Sequence, residues 1–367
     1  MVIDIKNRDV GGREGVLDIN GTKIKTPDYL PNQKDINSLK ESPFVSSSNF
    51  PSMDIGTYIH WLSRETLELV STSSKKYNDT KNYLRSQIKP MTDSGVKKKL
   101  LHFEFDSSVQ TLSGQELDVL FQLQDDVGAD IIEIPNLCST GKYEKVLDRA
   151  YEWRHVKGIE KELMGIANEG FDIKVLKDKT NKISCIGVNL RKENSPLLFA
   201  IKNDLKQEDI WIHAFSVPRS YRVIKGKGTL SVLLNYYGID TISTRTAHPK
   251  SVRNYMFQIG SKTEEEKNEQ SQGSKYFNPT DYSTLKCKNI DNDEKLSRFC
   301  DCPICQNNNA STIIQNFDTA IANIRSHELF AYKKESCNYQ DQIKQNISDE
   351  YFNSKKYAKE IEARFRV

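Results

Sequence analysis

From about residue 100 the chain alternates short apolar runs with longer stretches of helical period, and this alternation constrains the fold more than any other feature. Leu100–Phe105 reads as a strand, and Ser113–Val127 as a helix opened by a Ser113-x-x-Glu116 capping box. Ala129–Ile134 reads as the next strand and Tyr143–Leu163 as a helix; Lys182–Leu190 as a strand and Pro196–Asp204 as a helix. Ile210–Ser216, Thr229–Tyr237 and Gly238–Ser243 continue the series as strand, helix and strand. Strands alternating with helices in this way argue for a parallel sheet closed by crossovers. The pattern therefore predicts an α/β protein, with enough units for a (β/α)8 TIM barrel over residues 1–260, preceded by an amino-terminal β extension. Residues 261–285 open on a polar stretch rich in Glu, Gln, Ser and Gly and read as a mobile linker. Residues 286–367 are expected to form an appended zinc-binding subdomain with carboxy-terminal helices.

The expectation of zinc rests on Cys300-x-Cys302-x-x-Cys305, followed at a distance by His327. Three thiolates and one imidazole are the ligand set of a closed tetrahedral zinc site. The Cys302–Cys305 segment resembles a zinc knuckle, and Thr312 through His327 reads as a helix that returns the fourth ligand. Four protein ligands leave no open position for a reacting water, so such a zinc would be structural. The other reading of these thiols is as buried cysteines or half of a disulfide set. Three of seven cysteines within six residues, with no secretory signal before them, argue against a disulfide framework.

No apolar run approaches the ~18 residues needed to span a membrane, and Met1-Val-Ile-Asp-Ile-Lys lacks the pattern of a secretory signal. A cytoplasmic location is expected. A net charge of +3 is too small to argue for nucleic acid by itself. In a barrel of this kind chemistry sits where strands end and loops begin. That rule selects Asp93-Ser94-Gly95, Pro135 through Cys138, Ser216-Val217-Pro218, and Asp240 through Arg245.

At these positions the chain resembles the queuine/archaeosine tRNA-guanine transglycosylase superfamily, and within it the DNA-guanine transglycosylase branch. The residues that carry the resemblance are Arg13-Glu-Gly15-Val-Leu, Ile24-Lys-Thr26-Pro27 through Pro31, and Thr92-Asp93-Ser94-Gly95. Leu112-Ser-Gly-Gln-Glu116, Gly128-Ala-Asp130-Ile-Ile132, Gly238-Ile-Asp240 and Arg325-Ser-His327-Glu-Leu329 follow in order. The resemblance implies base exchange: a carboxylate attacks the anomeric carbon of a nucleotide, expels guanine, and is displaced by a free 7-deazaguanine such as 7-cyano-7-deazaguanine. It implies a catalytic acid/base and base-reading role for Asp93, with Ser94, Gly95, Asn136 and Cys138 around the base. It also implies zinc at Cys300, Cys302, Cys305 and His327, and a dimer built through the zinc region.

The chain departs from the family's pattern in several places. Val96 and Lys97 stand where a glycine and an aromatic are usual, and Asn136 stands where a base-reading aspartate is usual. Gly187-Val188-Asn189 recovers a glycine pair only in part. The nucleophile's position falls on Ser243, with Asp240 three residues earlier. Asp240 as nucleophile, a carboxylate from elsewhere, and a non-catalytic relative remain open alternatives. Lys97, Lys98 and Lys99, and the strip Arg245, His248, Lys250 and Arg253, are candidate phosphate contacts. DNA is the expected substrate and tRNA the alternative. A silent nucleic-acid-binding subunit of a modification complex, working with accessory proteins, is the reading from another class.

Overall fold

A computed structural model of the protein describes residues 1–137, 140–168, 170–190, 195–223, 226–229, 231–291 and 294–365. Its centre is an eight-stranded parallel sheet, curled on itself and covered by helices. In sequence order its strands are β4 (Asp28–Tyr29), β5 (Ile55–Leu62), β6 (Lys98–Phe105), β7 (Ile131–Ile134), β8 (Glu162–Ala167), β9 (Cys185–Asn189), β10 (Trp211–Val217) and β13 (Thr241–Thr244). Neighbours in space follow the order β5-β6-β7-β8-β9-β10-β13-β4. The two edges of the sheet approach one another: the Thr57 N–H donates to the Pro31 carbonyl at 2.9 Å, and Asn32 and Thr57 form a single parallel bridge.

Three antiparallel strands, β1 (Val2–Asp9), β2 (Gly12–Ile19) and β3 (Thr22–Thr26), lie across the amino-terminal end of this sheet. Their Ile3, Leu17, Ile19 and Ile24 pack on an inner layer of Leu30, Ile55, Leu100, Ile131, Met164, Cys185 and Trp211. The residues two positions further along the strands, among them Thr57, His102, Glu133, Gly187, His213 and Ser243, form the next inward layer, because side chains alternate faces along a strand. The first layer is apolar and the second is largely polar, so polarity rises towards the carboxy-terminal mouth.

The helices that pack outside the sheet are α1 (Gln33–Glu41), α2 (Arg64–Thr72), α3 (Ser74–Thr92), α4 (Gly114–Asp126), α5 (Thr140–Lys157), α6 (Lys174–Asp178) and α7 (Ser195–Ala200). The expected capping box at Ser113 and Glu116 is present. Helix α5 is shorter than its period predicts. It ends at Lys157 because Gly158 adopts φ 62°, a left-handed conformation that stops a helix, and the apolar run beyond becomes β8 instead of more helix. The stretch expected as a helix from Thr229 is a 3-10 helix over Ser231–Tyr237.

The carboxy-terminal part is more interwoven than a linker and an appendage. Residues 264–272 form α9 (Glu264–Gln272), capped by a Thr263–Glu266 box, in place of a loop. It follows α8 (Pro249–Gly260). Strands β14 (Lys275–Asn278) and β15 (Ser283–Lys286) join β11 (Tyr221–Val223) and β12 (Gly226–Gly228), which extend from the β10 loop, in one antiparallel sheet. The 28-residue helix α11 (Phe317–Lys344), preceded by α10 (Ala310–Ile314), packs against α1, β2, β4 and β14, and α12 (Ser348–Ser354) and α13 (Lys356–Phe365) close the chain. The boundary expected near residue 260 is therefore not a seam in the structure. No helix among the described residues is long and apolar enough to cross a membrane.

Candidate active site and metal centre

The carboxy-terminal mouth of the parallel sheet holds a cavity of about 220 Å³ lined by His102, Phe103, Glu104, Phe105, Glu133, Pro135, Asn136, Leu137, Ile166, Asn168 and Asn189. These residues come from the carboxy-terminal halves of β6 to β9 and the loops that follow. Two carboxylates flank one imidazole: His102 Nδ1 lies 2.6 Å from Glu133 Oε2, and His102 Nε2 lies 3.6 Å from Glu104 Oε1. The second separation is close enough for attraction and too long for a hydrogen bond. Burial alone would lower the His102 pKa, but Glu133 first and Glu104 with it outweigh that cost and raise it to about 10. Burial raises the Glu133 pKa, while the neighbouring imidazolium opposes the shift. The ring of His102 stacks on Phe215 with centroids 4.3 Å apart and planes at 11°.

Glu104 is anchored from the far side of the mouth. The Ser216 hydroxyl donates to Glu104, and Ser216 sits at φ 56°, where the register of β10 against β13 shifts between Ala214 and Val217. A non-glycine residue in this region is strained and persists where its surroundings over-determine it. Here the irregularity turns the hydroxyl inward. Glu133 is fixed from behind by Gln124, whose side chain accepts from the Glu133 N–H at 2.7 Å and donates to its carbonyl at 2.9 Å. Asn136 is buried and its amide donates to the Ile166 carbonyl at 2.8 Å; Asn168 in turn donates to the Asn136 carbonyl.

Of the residues selected from sequence, Asn136 lines this cavity and Ser216 supports it. Ser243 lies deeper, with its hydroxyl 3.1 Å from His213 Nε2; the other ring nitrogen of His213 is 2.8 Å from Thr241 Oγ1. Burial first, and then the charge on His102, lower the His213 pKa to about 3, so this imidazole is neutral. Cys138 lies outside the described residues.

Asp93 and Asp240 occupy the opposite end of the sheet, which corrects the expectation that both stand at the mouth. Asp93 is exposed and caps the carboxy terminus of α3, with Gly95 at φ 93° and the Ser94 hydroxyl donating to the Pro90 carbonyl at 2.6 Å. The Asp-Ser-Gly segment thus ends a helix and leads into β6 from its amino-terminal side. Asp240 immediately precedes β13, is fully buried, and is clasped by Arg13 from β2, with Nε to Oδ1 at 2.8 Å and Nη2 to Oδ2 at 2.5 Å. The same guanidinium donates to the carbonyls of Glu208 and Ile210, each at 2.6 Å, and the Ile212 N–H donates to Asp240 at 2.7 Å. That arrangement locks the β extension to the sheet.

The basic candidates divide in the same way. Lys97 pairs with Asp54 at 2.7 Å and Lys98 with Asp130 at 3.2 Å, and with Lys99 they lie at the amino-terminal end, away from the cavity. Arg245, Lys250 and Arg253 are exposed beyond the carboxy-terminal end of β13, on the side of the mouth. His248 caps α8 and packs edge-on against Trp61 at 4.5 Å. Sequence reasoning passed over His102, Glu104 and Glu133, because two Glu and a His inside apolar strands look like ordinary alternation. The available signal was their inward period: His102 and Glu104 are two residues apart on β6, and Glu133 occupies the same layer of β7.

The metal-ligating set comes together as expected. Among the described residues, Cys300, Cys302, Cys305 and His327 form a buried cluster able to hold a metal ion, with all ligand atoms within 4.8 Å of one another. His327 Nδ1 lies 3.4 Å from Cys302 Sγ and 3.3 Å from Cys305 Sγ. A tetrahedron with metal–sulfur bonds of ~2.3 Å and metal–nitrogen bonds of ~2.0 Å has sulfur–nitrogen edges of about 3.5 Å, so the donors are compatible with zinc. Nε2 of His327 donates to the Phe277 carbonyl at 2.7 Å, which leaves the Nδ1 lone pair for a metal. Tyr276 stacks on the imidazole at 4.2 Å, and its hydroxyl lies 3.3 Å from Cys305 Sγ.

No protein-family model matches this chain, and no curated protein matches it.

Proposed function

We propose that the protein exchanges guanine in DNA for a free 7-deazaguanine base, such as 7-cyano-7-deazaguanine, at the mouth of a (β/α)8 barrel closed between β4 and β5. The observation that carries this reading is the pair of buried carboxylates, Glu104 and Glu133, held on either side of His102 in a cavity edged by three asparagines. A cavity of ~150 Å³ accepts a benzene ring, so about 220 Å³ has room for a bicyclic base. The amides of Asn136, Asn168 and Asn189 are suited to reading the polar edge of a purine drawn out of its polymer.

In this mechanism Glu104 replaces Asp240 and Ser243 as the attacking group. Its carboxylate oxygen bonds to C1′, the C1′–N9 bond breaks, and the electron pair leaves with guanine, which takes the proton from His102. Forming the ester neutralises one of the two carboxylates that hold that proton, so His102 becomes more acidic as the bond forms. In the second half the incoming base loses its ring proton to His102 and displaces Glu104 from C1′. Asp93, Ser94 and Gly95 have no part in it. Zinc is proposed as the metal at Cys300, Cys302, Cys305 and His327, in a structural role that suits a reducing, cytoplasmic setting. Arg245, Lys250 and Arg253 are proposed to meet phosphates.

The competing reading is a silent nucleic-acid-binding subunit, favoured by the placement of Asp93 and Asp240 away from the mouth. One experiment separates the readings. The protein is incubated with guanine-containing DNA or tRNA and a 7-deazaguanine, followed by nucleoside mass spectrometry and peptide mapping of any denaturation-resistant adduct. The proposal expects incorporation in DNA, an adduct on Glu104, and loss of both in Glu104→Gln. Incorporation in tRNA alone defeats the DNA assignment. DNA binding with neither incorporation nor adduct defeats the enzyme.

A further inference from the structure

A cavity of about 350 Å³ opens on the carboxy-terminal side of the sheet, at the seam between its two edge strands, with Lys34, Tyr58, Trp61, Tyr83 and Arg253 in its lining. The seam itself creates the space. Past the single bridge between Asn32 and Thr57, β5 runs on to Leu62 while the opposing chain turns into α1 at Gln33. Among the described residues, Tyr58 to Trp61 therefore have no strand neighbour on that side. The first turn of α1, helix α3 and the start of α8 wall the space instead.

Trp61 ties this cavity to the one at His102. Ile55 belongs to the inner layer, so Thr57, Ile59 and Trp61 also face inward, by the two-residue alternation of a strand. In the register of β5 against β6, Trp61 is the partner of Glu104. Neighbouring strands lie ~4.8 Å apart, so the indole stands one strand away from the carboxylate of the first cavity. It also meets His248, with ring centroids 4.5 Å apart and planes at 73°. Of the three Trp in the chain it is the accessible one, since Trp153 and Trp211 are buried.

The cations of this cavity are uncommitted. Neither Lys34 nor Arg253 has an ion-pair partner among the described residues. The carboxylate next to Lys34 in sequence, that of Asp35, is taken by the Tyr29 hydroxyl at 2.8 Å, the Asn32 N–H at 3.1 Å and the Arg219 guanidinium. Burial first, and then Arg325 and Arg219, lower the Lys34 pKa, as expected of a half-buried ammonium whose nearby carboxylate is already engaged. Accessible aromatic faces beside free cations are the combination that holds a nucleotide: a ring stacks on the base, and the cations meet its phosphate.

We propose that this cavity binds one nucleoside monophosphate unit, its base stacked on Trp61 and its phosphate held by Lys34 and Arg253. The occupant is the nucleotide next to the one whose base enters the cavity at His102, an assignment of source that rests on the nucleic-acid reading above. A free nucleoside monophosphate has the same chemistry, and the experiment separates the two sources.

The test uses the full-length, metal-loaded protein and two probes: deoxyadenosine monophosphate, and a fluorescent single-stranded oligodeoxynucleotide with one guanine flanked by adenines. Quenching of Trp fluorescence is read for both, and oligonucleotide affinity is read independently by anisotropy over a range of salt. The oligonucleotide is expected to quench the native protein and not Trp61→Phe, because the two buried Trp do not touch the probe. Trp61→Ala should weaken the oligonucleotide about five-fold or more, the loss of one stacked base. Lys34→Gln should lower the slope of log affinity against log salt by about 0.7, one phosphate contact on a single strand. Thermal midpoints accompany the variants; should Trp61→Ala fold poorly, Lys34→Gln and the quenching in Trp61→Phe decide. Affinity and slope that respond in this way, with no base exchange, uphold the subsite and overturn the enzyme reading alone. Base exchange in a native protein that shows no quenching, with affinity and slope unchanged in the variants, overturns the subsite alone. Deoxyadenosine monophosphate that binds as tightly as the oligonucleotide overturns the polymer as the source.

Discussion

Replacing Asp240 with alanine separates an architectural role from a catalytic one. In the native protein the Arg13 guanidinium and the Asp240 carboxylate form a two-bond pair in which both side chains are fully buried. Alanine leaves the guanidinium with the carbonyls of Leu205, Glu208 and Ile210 but without a counter-charge, and leaves the Ile212 N–H without its acceptor. Breaking a buried pair from one side costs about 3–5 kcal/mol, a large part of the ~5–15 kcal/mol that holds a typical domain. With a urea slope of roughly 3 kcal/mol per molar for a chain this large, the unfolding midpoint should fall by about 1–1.7 M. Urea titration followed by Trp fluorescence reads this directly, since Trp211 donates to Thr241 beside the pair. Removing both charges in Arg13→Met/Asp240→Leu should recover most of the loss, because an apolar pair leaves no charge uncompensated. A midpoint within 0.3 M of wild type in Asp240→Ala, together with abolished base exchange, would refute the reasoning and return Asp240 to the reaction.

Three further expectations follow from the same geometry. Chelation of the metal, or Cys302→Ala, should unfold the region around α11 and β14, because metal binding and folding are coupled; elemental analysis showing a metal-free protein with an unchanged melting curve would contradict this. The flanking carboxylates raise the His102 pKa to about 10 in the folded protein, against the ordinary 6.5 of a free imidazole. Its contribution to stability is therefore fully present below about pH 6.5 and is lost as pH rises through 10. His102→Gln should flatten the decline of stability across that window, and an unaltered slope in urea titrations from pH 6.5 to 10 would exclude the pairing. Asp93→Ala should leave base exchange within about two-fold of wild type and change stability by no more than about 1 kcal/mol, since Asp93 is an exposed helix-terminal residue.

The metal cluster was legible because its signal is local. Cys300, Cys302 and Cys305 fall within one short turn-rich segment, and thiolates at that spacing converge readily on one metal ion. His327 required one further step, a helix long enough to return it. The strand and helix alternation was legible for the same reason, although α5 was read through Gly158 into β8, and Ile55–Leu62 was not recognised as a strand. Asp93 shows the opposite case. Asp-Ser-Gly is as good a helix-terminating turn as it is a catalytic loop, and α3, running to Thr92, decides between the two.

The sequence by itself determined the class of fold and the Cys3His cluster, because each follows from periodicity or spacing along the chain. It could not determine which end of the parallel sheet each loop occupies, since that depends on whether the loop precedes or follows a strand, and an error of a few residues in one boundary reverses the answer. Only the tertiary structure placed Asp93 and Asp240 at the amino-terminal end and drew His102, Glu104, Glu133 and Ser216 together from β6, β7 and β10. These residues are separated by up to 114 positions in the chain. Their meeting reflects the curl of the sheet, which brings the inward faces of distant strands onto one cavity, and no local pattern records that curvature.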